Sequence, residues 1–311
     1  MNKLEELFSK FLQYLKLNNF SVKTIESYKN SLKFYLKFII CQKIKETEYF
    51  TIQTAVGFNK YLLAYKKADG KKLTPKSIAG YYNKTSRFHI FLLKNSYILF
   101  NPYELLEPIK SKKDILKKSI PVEDVEKILA QPRLNTLSGI RDRTMLEVLY
   151  STGIRKEELR SLQIYDVDLN AGFIKVKGKG KKDRIVPIGE NACKFLDKYI
   201  NTARIWLMND ASEDHLFLSK RGRQLSEGSV GLIIQTHIKS ANLKKHYSCH
   251  SFRHTCAVEM LKGKANIKHI QEMLGHSSLS TTQIYTQMLP LDLKKIHLET
   301  HPSNWILNSI K

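Results

Sequence analysis

Several features that mark other classes of protein are missing from this sequence. No apolar run approaches the ~18 residues that a membrane span requires. The first residues lack the basic-then-apolar pattern of a secretion signal. No internal repeat or low-complexity block is present. The sequence therefore predicts a cytoplasmic globular protein without a membrane segment, and its 311 residues allow two domains, each with its own core.

Cysteines are few and show no CxxC spacing. The four thiols are Cys41, Cys193, Cys249 and Cys256. Such scattered cysteines favour reduced side chains in a cytoplasmic protein over a disulfide framework.

Acidic side chains are scarce relative to basic ones. The 52 lysines and arginines oppose 29 aspartates and glutamates, which gives a net charge of +23 and a pI near 9.7. The excess is densest in the first third of the chain. An excess of this size attracts polyanions, of which nucleic acid is the first candidate. A surface of solvated lysines is the alternative.

The first third of the chain has the apolar spacing of short helices. Leu4, Phe8 and Phe11 recur at intervals of four and three residues, as an amphipathic helix requires. Further helices are predicted after a cap at Ser21, at about 54–65, and from Thr74-Pro75 onward. The tyrosines and phenylalanines among the lysines of this region are interpreted as core residues, with stacking on bases as the alternative.

Residues 107–118 are predicted to be a linker. This stretch has no sustained periodicity and contains a proline and the basic run Lys110-Ser111-Lys112-Lys113. It separates a helical unit at 1–106 from a second unit at 119–311, whose apolar tail begins at about residue 290.

The second unit combines helical and strand patterns. The stretches 173–176 and 184–188 alternate and are β-branched, which predicts an antiparallel hairpin with a cationic turn between them. Apolar periodicity predicts helices at about 122–129, 140–149, 190–208, 227–239, 251–262, 266–274, 279–288 and 291–299, and a short one after Arg155. The predicted fold class is therefore mainly α, with an all-α first domain and an α+β second domain that has a small antiparallel sheet.

Arg155 follows the break Thr152-Gly153 and is predicted to lie at a helix N-terminus. Unpaired backbone N–H groups and the helix dipole favour an anion there, and the guanidinium adds a bidentate donor. Glu158, one turn later, is placed to hold the guanidinium. An ordinary surface pair of arginine and glutamate is the alternative.

Lys179 lies in the turn of the predicted hairpin. It could protonate a departing alkoxide as a general acid, although exposed turn lysines are usually inert.

His250 and Arg253 lie three residues apart in the segment Cys249-His250-Ser251-Phe252-Arg253-His254. This spacing places them on one face of a helix, where they can bracket a phosphate oxygen. His250 and His254 also have the i,i+4 spacing of a zinc helix, but the HExxH pattern would require a glutamate where Ser251 stands. We therefore expect no metal and no cofactor.

Leu274-Gly275-His276 ends a predicted helix at a glycine and places His276 in the turn that follows. Tyr285 lies nine residues further on, in the next predicted helix. A phenol is a poor nucleophile at neutral pH unless nearby cations stabilise the phenolate. A tyrosine in the core is the alternative.

In this order and at these intervals the motifs resemble the tyrosine recombinases, or phage-type integrases. The resemblance covers nearly the whole chain, and Cys249 to Thr286 is similar to the Xer type in particular. It implies a C-shaped clamp around duplex DNA, formed by an N-terminal core-binding domain and a C-terminal catalytic domain. It also implies catalytic roles for Arg155, Lys179, His250, Arg253, His276 and Tyr285, with Glu158 in support.

The resemblance further implies a function and partners. The expected function is site-specific recombination through a 3′-phosphotyrosine intermediate, in Xer-like resolution of chromosome or plasmid dimers. The expected partners are duplex DNA with paired inverted-repeat half-sites, a homo- or hetero-tetramer joined by the C-terminal tail, and accessory factors such as a DNA translocase. The alternatives are the integrase or excisionase of a mobile element, a type IB topoisomerase, a non-catalytic DNA-binding protein and a metal-dependent nuclease.

Overall fold

The computed structural model describes residues 3–107, 119–178, 183–209 and 214–275. The chain divides into two compact units, Met1–Ile115 and Leu116–Lys311. The division falls inside the stretch predicted as a linker, of which residues 108–118 lie outside the described residues. The boundaries at 106 and 119 therefore stay predictions. Among the described residues, none of the helices combines the length and the apolar character needed to cross a bilayer.

The described part of the first unit is helical, as predicted. Its α-helices are α1 (Lys3–Leu17), α2 (Val22–Cys41), α3 (Ile52–Ala64) and α4 (Pro75–Lys94), with a 3₁₀ turn at Glu46–Glu48. Ser21 and Thr74 cap α2 and α4, since each hydroxyl accepts a hydrogen bond from the backbone N–H three residues later. Pro75 fits at the start of α4, where its missing N–H costs no hydrogen bond.

Aromatic side chains fill the core of the first unit. The ring of Phe8 meets that of Phe88 edge to face at 4.8 Å, and Tyr35 meets Phe58 in the same way at 4.9 Å. All four side chains are buried. The interpretation of Tyr35 and Phe88 as core residues is therefore confirmed, and neither ring is available to stack on a base.

His89 is buried among these rings. Its Nδ1 lies 2.9 Å from the carbonyl oxygen of Thr85, and its Nε2 has no hydrogen-bond partner among the described residues. The rings of Tyr103 and Phe50 lie 4.8 and 5.6 Å away. Burial lowers the pKa of His89 to about 4, against the smaller opposing effect of the bond to Thr85. The imidazole is therefore neutral in the folded protein at neutral pH.

The second unit begins with three helices. They are α5 (Val122–Leu129), α6 (Leu137–Thr152) and α7 (Lys156–Ser161). Helix α6 is buried on most sides, with Met145, Leu146 and Leu149 fully enclosed. Because α6 forms the centre of this core, the residues at its C-terminal end are held firmly in place.

A small antiparallel sheet follows, and in the described residues it has the order β1-β2-β3. Its strands are β1 (Val167–Asp168), β2 (Phe173–Lys177) and β3 (Asp183–Pro187). Val176 pairs with Arg184 and Ile174 with Val186. The predicted hairpin is therefore present, whereas β1 is too short to have been recognised from alternation. Residues 179–182 of the turn, with Lys179, lie outside the described residues.

The remaining helices of the described second unit follow the sheet along the chain. They are α8 (Glu190–Lys198), a π-helical segment (Tyr199–Arg204), α9 (Ile205–Leu207), α10 (Ser229–Ser240), α11 (Cys249–Lys262) and α12 (Ile267–Leu274). The predicted helix at 190–208 thus contains a π-helical insertion. The helices predicted at 279–288 and 291–299 lie outside the described residues.

The buried imidazole of His89 predicts that the first unit loses stability in mild acid. Between pH 6.5 and about 4 the unfolded chain binds a proton at this histidine and the folded chain does not. The stabilisation is therefore complete above pH 6.5 and falls as the pH drops, by roughly 3 kcal/mol in total. The loss in free energy of unfolding is measured by unfolding the full chain in urea and monitoring hydrogen exchange in peptides from α1 to α4.

The variant His89→Phe should flatten this pH dependence, because a phenyl ring binds no proton. His269→Gln is the matched control, since His269 is exposed on α12 in the other unit. An unchanged slope between pH 7 and 5 in His89→Phe would contradict the prediction.

Candidate functional site

The candidate site begins where α6 ends. Gly153 adopts the left-handed conformation, with φ of 61°, and its N–H donates to the carbonyl oxygen of Leu149. A Cβ at this position would lie 2.8 Å from Cδ2 of Leu274 and 3.3 Å from Cβ of Cys256. Only glycine satisfies both the backbone and the packing here, so α6, α11 and α12 meet closely at this residue.

Arg155 is the N-cap residue of α7, as the break before it predicted. Its backbone N–H donates to Oε2 of Glu158 at 2.7 Å, and its Nη1 donates to Oε1 of the same carboxylate at 2.8 Å. Its Nη2 donates to the carbonyl oxygen of Gly275 at 3.0 Å. The side chain is 41% exposed. Its guanidinium is thus fixed on one side and open to solvent on the other.

Arg253 lies on α11 and is buried. Its Nη1 donates to the carbonyl oxygen of Gly153 at 2.8 Å, and its Nη2 donates to that of Leu274 at 2.6 Å. The structure therefore brings together the two arginines that the sequence singled out, although 98 positions separate them in the chain. Both are anchored to the end of α12.

A third arginine, Arg184 of β3, contacts the same place. Its Nε donates to the carbonyl oxygen of Met273 at 2.7 Å, and its two Nη groups donate to the carboxylate of Glu158 at 3.1 and 2.8 Å. Three consecutive carbonyl groups at the end of α12 thus each accept a hydrogen bond from a different arginine. Cations at a helix C-terminus are also favoured by the helix dipole.

Glu158 is the negative charge of this cluster. Burial alone would raise the pKa of its carboxyl, but the hydrogen bonds from Arg184 and from the Arg155 backbone outweigh that effect, and the pKa lies below its usual value. The carboxylate is therefore ionised at neutral pH. Glu158 binds two of the three guanidinium groups, and backbone carbonyls bind the third. With three guanidinium groups and one carboxylate, the cluster keeps a net positive charge that suits a phosphate.

The other predicted residues fall in different parts of the chain. His250 lies in the first turn of α11, one turn before Arg253, and is exposed. Lys179, His276 and Tyr285 lie outside the described residues. His276 directly follows Gly275, the left-handed glycine (φ 66°) that caps α12.

A nearby thiol is not a competing nucleophile. Cys256 lies on α11 one turn after Arg253, and its Sγ approaches the carbonyl oxygen of Ser151 at 3.5 Å. Burial raises the pKa of this thiol to about 12. The thiol is therefore protonated at neutral pH and chemically inert.

Sequence reasoning did not select Arg184 as a site residue. A signal was available, because Arg184 alternates with Val186 on the inward face of β3, whereas Ile185 points outward. An arginine on an inward face needs acceptors to offset its desolvation. Its acceptors are Glu158 and Met273, whose proximity depends on the fold.

The close approach at Gly153 predicts that Gly153→Ala destabilises the second unit. A left-handed φ costs an alanine roughly 1–2 kcal/mol, and the overlap with Leu274 adds to that cost. Gly172→Ala is the matched control, because Gly172 has a φ of 70° but its nearest neighbour would lie 3.8 Å from the new Cβ. Thermal unfolding of both variants separates the cost of backbone strain from that of the overlap, and Gly153→Ala should lose more stability than Gly172→Ala. Equal losses of stability would contradict the prediction.

The chain is similar to a known protein family and to individual proteins of known name. The family model described as "Phage integrase family" matches residues 118–290. The protein named tyrosine recombinase XerD of Staphylococcus saprophyticus subsp. saprophyticus is 36% identical over 303 residues, which cover 96% of this chain and 99% of that protein. The XerD protein of Staphylococcus aureus is 34% identical over 300 residues, with the same coverage.

Solved structures share the fold at lower identity. The XerH site-specific recombinase, bound to a palindromic difH substrate in a post-cleavage complex, has a TM-score of 0.73 and 23% identity, and the match covers 96% of this chain and 85% of that one. The Tn1549 transposon integrase, in complex with transposon right end DNA, has a TM-score of 0.74 and 17% identity, covering 95% and 98%.

Proposed function

Because the chain belongs to the phage integrase family of tyrosine recombinases, we propose that it cuts and rejoins duplex DNA through a 3′-phosphotyrosine intermediate at Tyr285. The family membership confirms the resemblance carried by the sequence motifs, and with it the prediction of a site-specific recombinase. The residue roles and the biological task described below belong to the proposal.

The observation that carries the proposal is the convergence of Arg155 and Arg253 at the end of α12. Both guanidinium groups are held by backbone carbonyls, and Arg155 is held by Glu158 as well. Donors fixed in advance stabilise developing charge without reorganisation. In the proposal these two arginines bind the non-bridging oxygens of the scissile phosphate together with His276, which directly follows Gly275 in the sequence. Loss of one such donor would slow cleavage by on the order of 10²–10³.

In the proposed reaction the phenol oxygen of Tyr285 attacks phosphorus, and the bond to the 5′ oxygen breaks. The phenol proton passes to His250, and Lys179 protonates the departing 5′ oxygen. The 5′-hydroxyl of a partner strand then attacks the phosphotyrosine and releases the phenol. The energy of the phosphodiester is kept in the covalent bond, so the reaction needs neither ATP nor a cofactor.

The proposed task is Xer-like resolution of chromosome or plasmid dimers. The relatives that match nearly the whole chain at 34–36% identity carry the XerD name, whereas the likeness to the transposon integrase rests on the fold alone. In this role the protein acts in the cytoplasm as a homo- or hetero-tetramer on paired inverted-repeat half-sites, with accessory factors such as a DNA translocase. Integration or excision of a mobile element is the second candidate, supported by the same fold.

The central prediction concerns Tyr285→Phe. On a duplex nicked near the cut site, the wild-type protein should become covalently attached to DNA, and attachment should be insensitive to EDTA. The variant should bind this DNA but form no covalent complex, because it lacks the attacking oxygen. Denaturing electrophoresis of labelled DNA measures the attachment.

Tyr165→Phe is the matched control, since Tyr165 is an exposed tyrosine of the same unit. It should react like the wild type. Attachment that persists in Tyr285→Phe would disprove the role of this tyrosine.

A second prediction concerns the C-terminal tail, whose residues lie outside the described part of the chain. Its apolar side chains, among them Leu293, Ile296 and Trp305, would dock on a neighbouring subunit. Deleting residues 290–311 should therefore weaken assembly of two bound sites more than binding to one half-site. Gel-shift titration gives the half-site affinity, and the fraction of paired complex gives the assembly. Intact assembly after the deletion would mean that the tail packs on its own subunit.

A further inference from the structure

We propose that Arg184 is a positioning residue for this active site, which ties the end of α12 to Glu158 and thereby holds Arg155 in its working orientation. The inference rests on the proposed function, since it assigns Arg184 a part in DNA cleavage. Arg184 would act through Arg155 and would not itself touch the phosphate.

The first support is the set of contacts that Arg184 makes. Its two Nη groups bind both oxygens of Glu158, and its Nε binds the carbonyl oxygen of Met273. One rigid, planar group thus joins β3, α7 and α12. The side chain is 13% exposed, against 41% for Arg155. Arg155 is therefore the one of the two that can meet a ligand from solvent.

The second support is that Arg184 and Arg155 share the same acceptors. Oε1 of Glu158 accepts from a guanidinium nitrogen of each arginine, and Oε2 accepts from Arg184 and from the backbone N–H of Arg155. Without Arg184, the carboxylate of Glu158 would be held by Arg155 alone. The side-chain torsions of Glu158 would then be less restricted, and the Arg155 guanidinium that this carboxylate orients would be less firmly fixed.

The third support is the packing at Gly275. An ideal Cβ at this residue would lie 3.1 Å from Cζ of Arg184, so the guanidinium packs directly against the glycine backbone. The carbonyl oxygen of Gly275 accepts a hydrogen bond from Arg155. A shift of α12 on loss of Arg184 would therefore move a second anchor of Arg155. Displacements of about 1 Å at a reacting centre can slow a reaction by about 100-fold.

The experiment measures covalent attachment to a nicked duplex in a single turnover at saturating DNA. Arg184→Ala should slow attachment by about 10- to 100-fold, while the affinity for DNA stays close to that of the wild type. Compared with Arg184→Ala, the variant Arg184→Lys should regain melting temperature but little of the rate of covalent attachment. Its single ammonium keeps the charge, yet it cannot bind both Glu158 oxygens and Met273 together.

The double variant gives the readout that separates positioning from plain stability. If Arg184 acts through Arg155, Arg155→Ala/Arg184→Ala should react as slowly as Arg155→Ala and no slower. Arg160→Ala is the matched control. Arg160 binds Glu157 in the same helix at 3.0 Å, and its side chain is 25% exposed. This variant should retain the wild-type rate.

Three results would overturn the inference. The first is a wild-type rate in Arg184→Ala. The second is a double variant whose two losses multiply. The third is a loss that disappears when the temperature is lowered well below the melting point, because unfolding would then be its cause. Failure of the proposed function would look different, since the wild-type protein itself would then form no covalent complex.

Discussion

The C-terminal end of α12 is bound by three guanidinium groups, and the arrangement of the candidate site depends on this contact. Arg184, Arg253 and Arg155 donate in turn to the carbonyl oxygens of Met273, Leu274 and Gly275. These carbonyl oxygens end the helix and find no N–H donor within it. Each arginine therefore satisfies a helix-end group while the helix fixes the arginine, so helix and charge cluster hold each other in place.

The single carboxylate in this cluster resolves a conflict between charge and burial. Three neighbouring cations repel one another, and a buried cation is costly without hydrogen bonds. Glu158 lies between Arg155 and Arg184, and carbonyl oxygens supply the acceptors for Arg253. The cluster is thus stable in the folded protein while its net charge remains positive. That remaining charge is the physical basis for the phosphate binding proposed above.

Much of the fold could be predicted from the sequence because its signals are local. Apolar spacing and caps such as Ser21 and Thr74 predicted the helices of the first unit, and alternation predicted the hairpin of the second. The pairing of Arg155 with Glu158 was also within reach, since the two lie one turn apart. The acceptors of Arg184 were not, because they come from α7 and α12, although the alternation of β3 indicated that this arginine faces inward. The π-helical segment at Tyr199–Arg204 was missed because its composition continues that of the helix around it.

The contact between Arg155 and Gly275 joins residues that are 120 positions apart in the chain. Protein synthesis proceeds from the N-terminus, so α6 and α7 leave the ribosome long before α12 does. Until α12 emerges, Arg155 and Arg253 have no common anchor and the cluster does not exist. A nascent chain that already carries the basic first unit can therefore associate with nucleic acid through charge alone. The arrangement of arginines proposed to bind the scissile phosphate is completed only after α12 has been synthesised.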